Sequence, residues 1–169
     1  MLPLARTPSE AHVFMDLHPC VCGETSFERS SAVVEAEGDL ASVYRGGCPS
    51  CGTTREFRFR LPERPLFPVG AVSYGDERPS ELLDPGEWLA LADEHAQRTP
   101  ATRGDVAIAV AALEEVLKFG PPDAERISDE AFTTPRGRAV RDAEPGRFRR
   151  SRLEAVLGAY RGLLDGRRS

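Results

Sequence analysis

The sequence contains no asparagine, a single glutamine (Gln97) and a single lysine (Lys118), against 21 arginines. GC-rich codons produce this skew, so we expect a bacterial source with a GC-rich genome. Long hydrophobic runs are also absent. The longest, from Val106 to Leu113, is far shorter than the roughly 18 residues that suggest a membrane span. The N-terminal residues lack the apolar core of a signal peptide. We therefore expect a cytoplasmic protein that has no membrane partner.

Motifs that carry enzyme chemistry are missing too. The sequence has no glycine-rich phosphate loop, no nucleophile elbow and no HExxH. Histidine occurs only at positions 12, 18 and 95. His95 follows Asp93 and Glu94 on a predicted helix, where a polar edge position is a simpler interpretation than a general base. Nothing in the chain argues for an enzyme, and an enzyme with an unrecognised site stays an alternative.

Cysteine is scarce, but its four copies fall into two tight pairs, Cys20/Cys22 and Cys48/Cys51, each followed by glycine. Two thiol pairs separated by enough chain for a hairpin supply the ligands of a closed tetrahedral zinc site. Glycine after each pair permits the positive φ that a tight thiolate turn often requires. The sequence predicts a structural zinc rather than a catalytic one, because four thiolates leave no position for water.

Two other interpretations of the cysteines compete with zinc. Four unrelated buried cysteines are one, and a redox dithiol at Cys48 and Cys51 is the other. A redox pair of this kind would open a helix, whereas the residues after Cys51 alternate like a strand. In a reducing compartment, paired cysteines hold metal more often than they form disulfides. Zinc is therefore the preferred interpretation.

The segment Cys20–Leu61 resembles the zinc-ribbon family, through both glycine-followed cysteine pairs and the strand after the second pair. The resemblance covers about a quarter of the chain and implies a small antiparallel sheet with one bound zinc. The ligands that it implies are Cys20, Cys22, Cys48 and Cys51. The first pair departs from the family pattern, since one residue separates its cysteines where the family normally has two. His18 therefore stands as an alternative ligand. Zinc ribbons serve transcription factors, enzymes, ribosomal proteins and adaptors, so the family name fixes no function.

The predicted fold class is α+β, a small antiparallel zinc-ribbon-like β-module followed by a C-terminal bundle of three to four helices. We expect a loose leader over residues 1–15, the β-module over 16–68, a connector over 69–79 and the helical domain over 80–169. Met15 directly precedes the β-module, and we hypothesise that translation begins there.

Strands are predicted over residues 25–36, 40–45 and 53–61. In the last, Phe57, Phe59 and Leu61 alternate with Glu56, Arg58 and Arg60, which is the period of a half-buried strand. Prolines at positions 62, 65 and 68 then end the sheet.

Helix signals follow in the second half of the chain. Asp84, Pro85 and Glu87 form an N-cap, a first-turn proline and a capping-box acid. Further helices are predicted over residues 103–119, from Thr134-Pro135 to about 143, and over 146–165.

The net charge of −5 is unevenly distributed along the chain. Residues 1–79 carry −3, residues 80–130 carry −8 and residues 131–169 carry +6. Arginines in the first turn of the last predicted helix oppose its macrodipole, which predicts compensation by the acidic middle segment or by an external anion. The candidate partner-binding residues are Arg147, Arg149, Arg150 and Arg152.

We expect a zinc-binding protein with structural metal that acts as a protein-interaction or regulatory module. The alternative is a nucleic-acid-binding protein that uses Arg55, Arg58 and Arg60 of the ribbon together with the C-terminal arginines. The net acidity disfavours general affinity for nucleic acid. The oligomeric state does not follow from the sequence.

Overall fold

The computed structural model describes residues 1–64, 66 and 70–166. Over these residues the protein is α+β, with one three-stranded antiparallel sheet and five α-helices, as the sequence predicts. The chain divides into two compact units, Met1–Phe67 and Pro68–Ser169. The first unit contains the sheet and one helix, and the second contains the other four helices. No helix in the described ranges is long and apolar enough to cross a membrane.

The N-terminal residues form a helix rather than the loose leader that we expected. Helix α1 spans Pro8–Leu17 and is capped by the Thr7 hydroxyl, which accepts a hydrogen bond from the Glu10 N–H. The fully buried Glu10 carboxylate accepts hydrogen bonds from both the guanidinium and the backbone N–H of Arg6. Met15, the hypothesised start, is also fully buried. The prediction of a loose leader was wrong because the Arg6–Glu10 ion pair forms part of the buried surface of this segment. A pattern of hydrophobic residues does not reveal a helix whose buried face includes charged side chains.

The sheet is a simple meander of β1 (Ser30–Ala36), β2 (Asp39–Gly47) and β3 (Thr54–Arg60). Its first turn has a positive φ at both Glu37 (55°) and Gly38 (86°), the two-residue geometry that matches the twist of a hairpin. Strand β1 begins at residue 30, later than the predicted residue 25. Before the strand, the buried Phe27 ring packs against the guanidinium of Arg55.

One face of the sheet packs against α1. The rings of Phe57 and Phe59 both meet the ring of Phe14, with centroids 6.3 and 5.5 Å apart. Phe59 is 1% exposed. The predicted alternation of β3 is therefore confirmed. Pro65 and Pro68 lie outside the described residues.

The second unit contains α2 (Pro85–Ala96), α3 (Arg103–Leu117), α4 (Pro135–Ala143) and α5 (Arg150–Gly166), with short 3₁₀ turns at Asp129–Ala131 and Pro145–Phe148. The predicted bundle of three to four helices is confirmed, and so are the caps at Asp84 and Thr134. Helix α5 begins four residues later than predicted. Residues 145–148 turn more tightly, which buries Phe148 against Phe132 with ring centroids 4.7 Å apart.

The core of this unit centres on Trp88, which is fully buried. Residue 69 of the predicted connector lies outside the described residues, and residues 70–79 contain no helix or strand. They do contribute to the core, because the buried Tyr74 ring lies 4.8 Å from the Trp88 ring.

A close crossing joins the N-terminal ends of α2 and α4. The buried Asp84 carboxylate accepts hydrogen bonds from the N–H groups of Gly86 and Glu87 and from both the N–H and the hydroxyl of Thr134. A Cβ on Gly137 would lie 1.9 Å from an Asp84 oxygen. Glycine is therefore required there by the approach of a neighbouring side chain, not by its backbone angles.

Candidate metal centre

The first cysteine turn is closed by two backbone hydrogen bonds. The Cys20 N–H donates to the Glu24 carbonyl, and the Gly23 N–H donates to the Cys20 carbonyl, both at 2.8 Å. Gly23 has a φ of 91°, which is accessible to glycine at little cost. The turn therefore places the thiols of Cys20 and Cys22 on the same side of a tight loop.

The second cysteine turn is closed in the same way. The Cys48 N–H donates to the Thr53 carbonyl, and the Gly52 N–H donates to the Cys48 carbonyl, both at 2.9 Å. Gly52 has a φ of 73°. In each turn the first cysteine bonds to the residue after the glycine, and the glycine bonds back to the first cysteine. The missing residue of the first pair therefore leaves this pattern of hydrogen bonds intact.

The four thiols converge, as the spacing of the pairs predicts. The Sγ atoms lie 3.6 Å apart for Cys20 and Cys51 and 3.5 Å apart for Cys22 and Cys48, and all four lie within 4.8 Å of one another. Sulfurs bound to one zinc at about 2.3 Å in a tetrahedron would lie about 3.8 Å apart. The observed cluster is therefore positioned to bind a metal ion of that size.

Burial differs between the two members of each pair. Cys20 and Cys48 are buried, and Cys22 and Cys51 are exposed. A cation bound here would face protein on one side and solvent on the other. All four cysteines are free thiols, so the complete donor set is available.

The protonation of the exposed thiols is already unequal without a metal. Hydrogen bonds from the Thr53 side chain and backbone, followed by those from Cys22 and Cys20, lower the pKa of Cys51 to about 6. For Cys22, a backbone hydrogen bond from Glu24 acts to lower the pKa. The bonds to Cys48, Cys51 and Cys20 outweigh it and raise the pKa to about 12. Neutral pH therefore favours at least one thiolate, the form that binds metals.

His18, the alternative ligand, is not part of the cluster. Its Nδ1 lies 2.7 Å from the Phe14 carbonyl, and its ring stacks on the Phe14 ring with centroids 3.9 Å apart. The donor group found among the described residues consists of the four cysteines alone. His18 ends α1 instead, because its ring returns to a carbonyl of the last turn.

Arg55 was predicted to face nucleic acid but is buried beside the metal centre, with 6% of its surface exposed. Its guanidinium donates to the carbonyls of Met15, His18 and Thr25, at 3.3, 2.5 and 3.1 Å. It also lies 4.2 Å from the centroid of the Phe27 ring. Arg55 therefore ties the end of α1 to the chain on both sides of the first cysteine turn. Its position in β3 is the signal that could have found this, since Arg55 precedes Phe57 by two residues and Phe59 by four and therefore lies on their face of the strand.

The arginines predicted to bind a partner lie in the second unit, where most make internal contacts. Arg147 forms a two-pronged ion pair with Asp93, both contacts at 2.6 Å. Arg152 pairs with Glu144 at 2.7 Å. These contacts match the interpretation in which charges within the fold compensate the basic segment.

Arg150 donates to the carbonyls of Leu117 and Gly120, at 3.1 and 2.7 Å, and so satisfies the end of α3. The side chain of Arg149 is exposed and has no ion pair with the residues that the structure describes. Of the four predicted residues, Arg149 alone presents an uncommitted charge within that part of the chain.

His95 belongs to a polar network at the start of α3. Its Nδ1 lies 2.9 Å from an Asp105 carboxylate oxygen, and Arg98 donates to the same oxygen. The other oxygen accepts from the N–H and hydroxyl of Thr102. Hydrogen bonds from Thr102, and then from His95, hold the pKa of Asp105 well below its usual range. His95 therefore acts within a helix cap, as the helix-edge interpretation predicts.

Three comparisons with known proteins were negative: no family model matches the chain, and neither a curated protein nor a solved structure matches it. The metal centre therefore has to be argued from its own geometry.

Proposed function

We propose that this chain is a zinc-binding protein whose metal is structural and is held by Cys20, Cys22, Cys48 and Cys51. One observation carries the proposal: two turns closed by equivalent hydrogen bonds bring four thiols within 4.8 Å of one another. Bound zinc would supply cross-linking between the two turns rather than chemistry, since four thiolates fill its tetrahedral positions. The proposal places the protein in a reducing compartment such as the cytoplasm, where thiols persist.

Zinc is favoured over the other metals by the chemistry of the donor set. A tetrahedron of four sulfurs is typical of zinc or of iron–sulfur sites, whereas magnesium and calcium require oxygen ligands. An iron–sulfur cluster would make the purified protein coloured. A single tetrahedral ion also fits this cluster, because its thiol separations of 3.5 and 3.6 Å are close to that expected for zinc.

The direct test is the zinc content of protein purified without chelators. We expect one zinc per chain, and a Cys22→Ser/Cys51→Ser double variant should lose it. The matched control is a Ser26→Ala/Ser50→Ala double variant, which removes two nearby hydroxyls and leaves every thiol in place. Wild-type protein with clearly less than one zinc per chain would refute the metal site.

We further propose that the protein acts by binding another protein, as an interaction or regulatory module. Support comes from the net charge of −5 and from the ion pairs that engage most of the basic segment. A nucleic-acid binder should instead retard labelled DNA or RNA at low salt and release it steeply as salt rises. Retardation of that kind would overturn the choice of a protein partner.

A further inference from the structure

The sheet has two edges, and the residues that the structure describes cover only one of them. At the β3 edge, Leu4 forms a parallel bridge with Arg60. The Ala5 N–H donates to the Arg60 carbonyl, and the Arg60 N–H donates to the Pro3 carbonyl. At the opposite edge, β1 pairs with β2 alone, and no bridge to its outer side occurs among residues 1–64, 66 and 70–166.

Apart from the charge of Glu35, strand β1 lacks the features that usually protect an open edge. Edge strands commonly carry lysine, proline or a bulge, or are very short, and each feature prevents pairing with another chain. The β1 sequence SSAVVEA has neither lysine nor proline. Its register with β2 runs without a bulge over seven consecutive pairs, from Ser30 opposite Arg45 to Ala36 opposite Asp39. The strand is therefore long enough and regular enough to accept a further strand.

The side chains beside this edge form a strip of mixed character. Val33 is 64% exposed and Leu40 is 59% exposed, among the most exposed large apolar residues of the described chain. Leu40 lies opposite Glu35 in the register, and Val33 is two residues from Glu35 on the same strand. Alternate residues of a strand, and residues directly opposite, point to the same face of a sheet. One face of this edge thus presents the acidic side chain of Glu35 between the apolar side chains of Val33 and Leu40.

The charge of this region specifies the kind of partner. The hairpin carries Glu35, Glu37 and Asp39, and no basic residue lies between Ser30 and Leu40. Glu37 pairs with the Met1 amino group at 3.1 Å, a contact exposed on both sides. A second copy of this chain would bring the same carboxylates to the interface. A strand with a basic residue opposite Glu35 would instead be attracted, since opposite charges directly across two strands stabilise their pairing.

We propose that β1 binds an extended segment of a partner protein as an added strand, with a basic residue opposite Glu35 and an apolar residue opposite Val33. Backbone hydrogen bonds would supply the affinity, and these two side-chain contacts would supply the specificity. The inference rests on the proposed interaction function and identifies the surface that performs it.

Two synthetic peptides test the inference on the zinc-loaded full chain. They are acetyl-TVTKTVT-amide and acetyl-TVTETVT-amide, which differ only in the charge of the central residue. Both sequences are palindromes, so a parallel and an antiparallel strand present the same side chains. The measurement is a titration followed by the backbone amide signals of ¹⁵N-labelled protein. We expect saturable shifts in Ser30–Ala36, with the lysine peptide binding roughly three- to ten-fold more tightly than the glutamate peptide.

Three variants separate the proposed contacts from general charge effects. Glu35→Lys should reverse the preference between the two peptides, and Val33→Thr should weaken both peptides equally while keeping a β-branched residue in the strand. The matched control is Glu130→Lys in the second unit, which changes the net charge by the same amount and should leave the preference unchanged.

The outcomes are distinct. An absence of saturable shifts, shifts centred outside β1, or a preference that Glu35→Lys does not reverse would each overturn the inference. Concentration-dependent dimerisation through β1 would overturn the choice of partner. Zinc is measured on the same samples. Zinc-loaded protein that binds neither peptide would refute this inference alone. Protein purified without any zinc would refute the metal centre.

Discussion

At the residue scale, Arg55 shows how a single buried cation can organise a small unit. Its guanidinium meets three carbonyl oxygens that lie 30 to 40 residues away in the chain. Two of these carbonyls, those of His18 and Thr25, lie on either side of the first cysteine turn. Aromatic rings close over the same group, and such contact with a desolvated cation is favourable. Arg55 is thus a positioning residue for the thiols.

Replacing Arg55 with methionine keeps most of its apolar stem and removes all three hydrogen bonds. We expect Arg55→Met to lower the free energy of unfolding by about 2–4 kcal/mol, because three carbonyls lose a charged donor and a buried hydrogen-bond network is broken. Arg55→Lys should be intermediate, since one ammonium cannot reproduce the planar fork. The measurement is denaturant unfolding of zinc-loaded protein.

The control for this prediction is Arg58→Met in the same strand. Arg58 is 45% exposed and pairs with Glu56, so its loss should change the free energy of unfolding by less than about 0.5 kcal/mol. Equal effects of the two variants would contradict the role given to Arg55.

At the element scale, the helices of the second unit are held by their N-terminal caps. The Asp84 carboxylate caps α2 and also holds Thr134 at the start of α4. In α3 the N-cap residue is Thr102, and the Asp105 carboxylate, three residues later, accepts a hydrogen bond from the Thr102 N–H and contacts His95 and Arg98. In both helices a capping box satisfies backbone N–H groups at the N-terminal end, and its acid also connects the helix to a second segment.

The crossing of α2 and α4 predicts opposite effects for two glycine substitutions. Gly137→Ala should destabilise the protein by about 1–3 kcal/mol, because the new methyl group overlaps the buried Asp84 carboxylate. Gly158→Ala, on the exposed side of α5, meets no atom within 4 Å and should stabilise by about 0.5–1 kcal/mol. Thermal unfolding of both variants gives the comparison. A stabilising Gly137→Ala would show that the crossing is looser than described.

The cap of α3 predicts a dependence on acid pH. The pKa of Asp105 is lower in the folded protein than its ordinary value of about 3.9, so its ionised form contributes stability at all pH values above that. This contribution is lost as the pH falls towards the depressed folded pKa. We therefore expect Asp105→Asn to be less stable than the wild type at neutral pH. We also expect it to lose less stability than the wild type when the pH is lowered from about 5 to about 2.

Denaturant unfolding at a series of pH values, followed by Trp88 fluorescence, measures this slope in the second unit. The control is Asp123→Asn, which changes an exposed carboxylate in a loop of the same unit. If the two variants gave the same slope as the wild type, Asp105 would not be the group responsible.

At the scale of the whole molecule, the two units depend on different sources of stability. The first buries a limited core around Phe59, Tyr44 and Met15, within 67 residues. Domains of about this size are marginal without additional stabilisation such as a metal. The second has a continuous apolar core between its helices, including Trp88, Leu113 and Leu153. Zinc should therefore matter far more to one unit than to the other.

Removal of zinc with a strong chelator tests this difference directly. We expect the amide signals of β1–β3 to lose dispersion and those of α2–α5 to persist. Trp88, the only tryptophan, should keep its fluorescence maximum. Returning zinc should restore the sheet signals. Simultaneous loss of both sets of signals would mean that the second unit also depends on the metal.

The features predicted from the sequence are those with local causes. The two cysteine turns follow from backbone hydrogen bonds across three to five residues, and the caps of α2 and α4 follow from hydrogen bonds across three residues. Each interaction closes within a few positions of the chain, so composition and spacing are enough to determine it.

Only the tertiary structure decided the features that depend on distant partners. The chain alone did not reveal α1, because its buried surface includes the Arg6–Glu10 pair. It also did not reveal that Arg55 faces inward or that Arg147 pairs with Asp93, 54 positions away. The open edge of β1 likewise appears only once the other described segments have a place. The energy of a charged group depends on whether folding brings it an opposite charge or water, and its own sequence neighbours do not determine which.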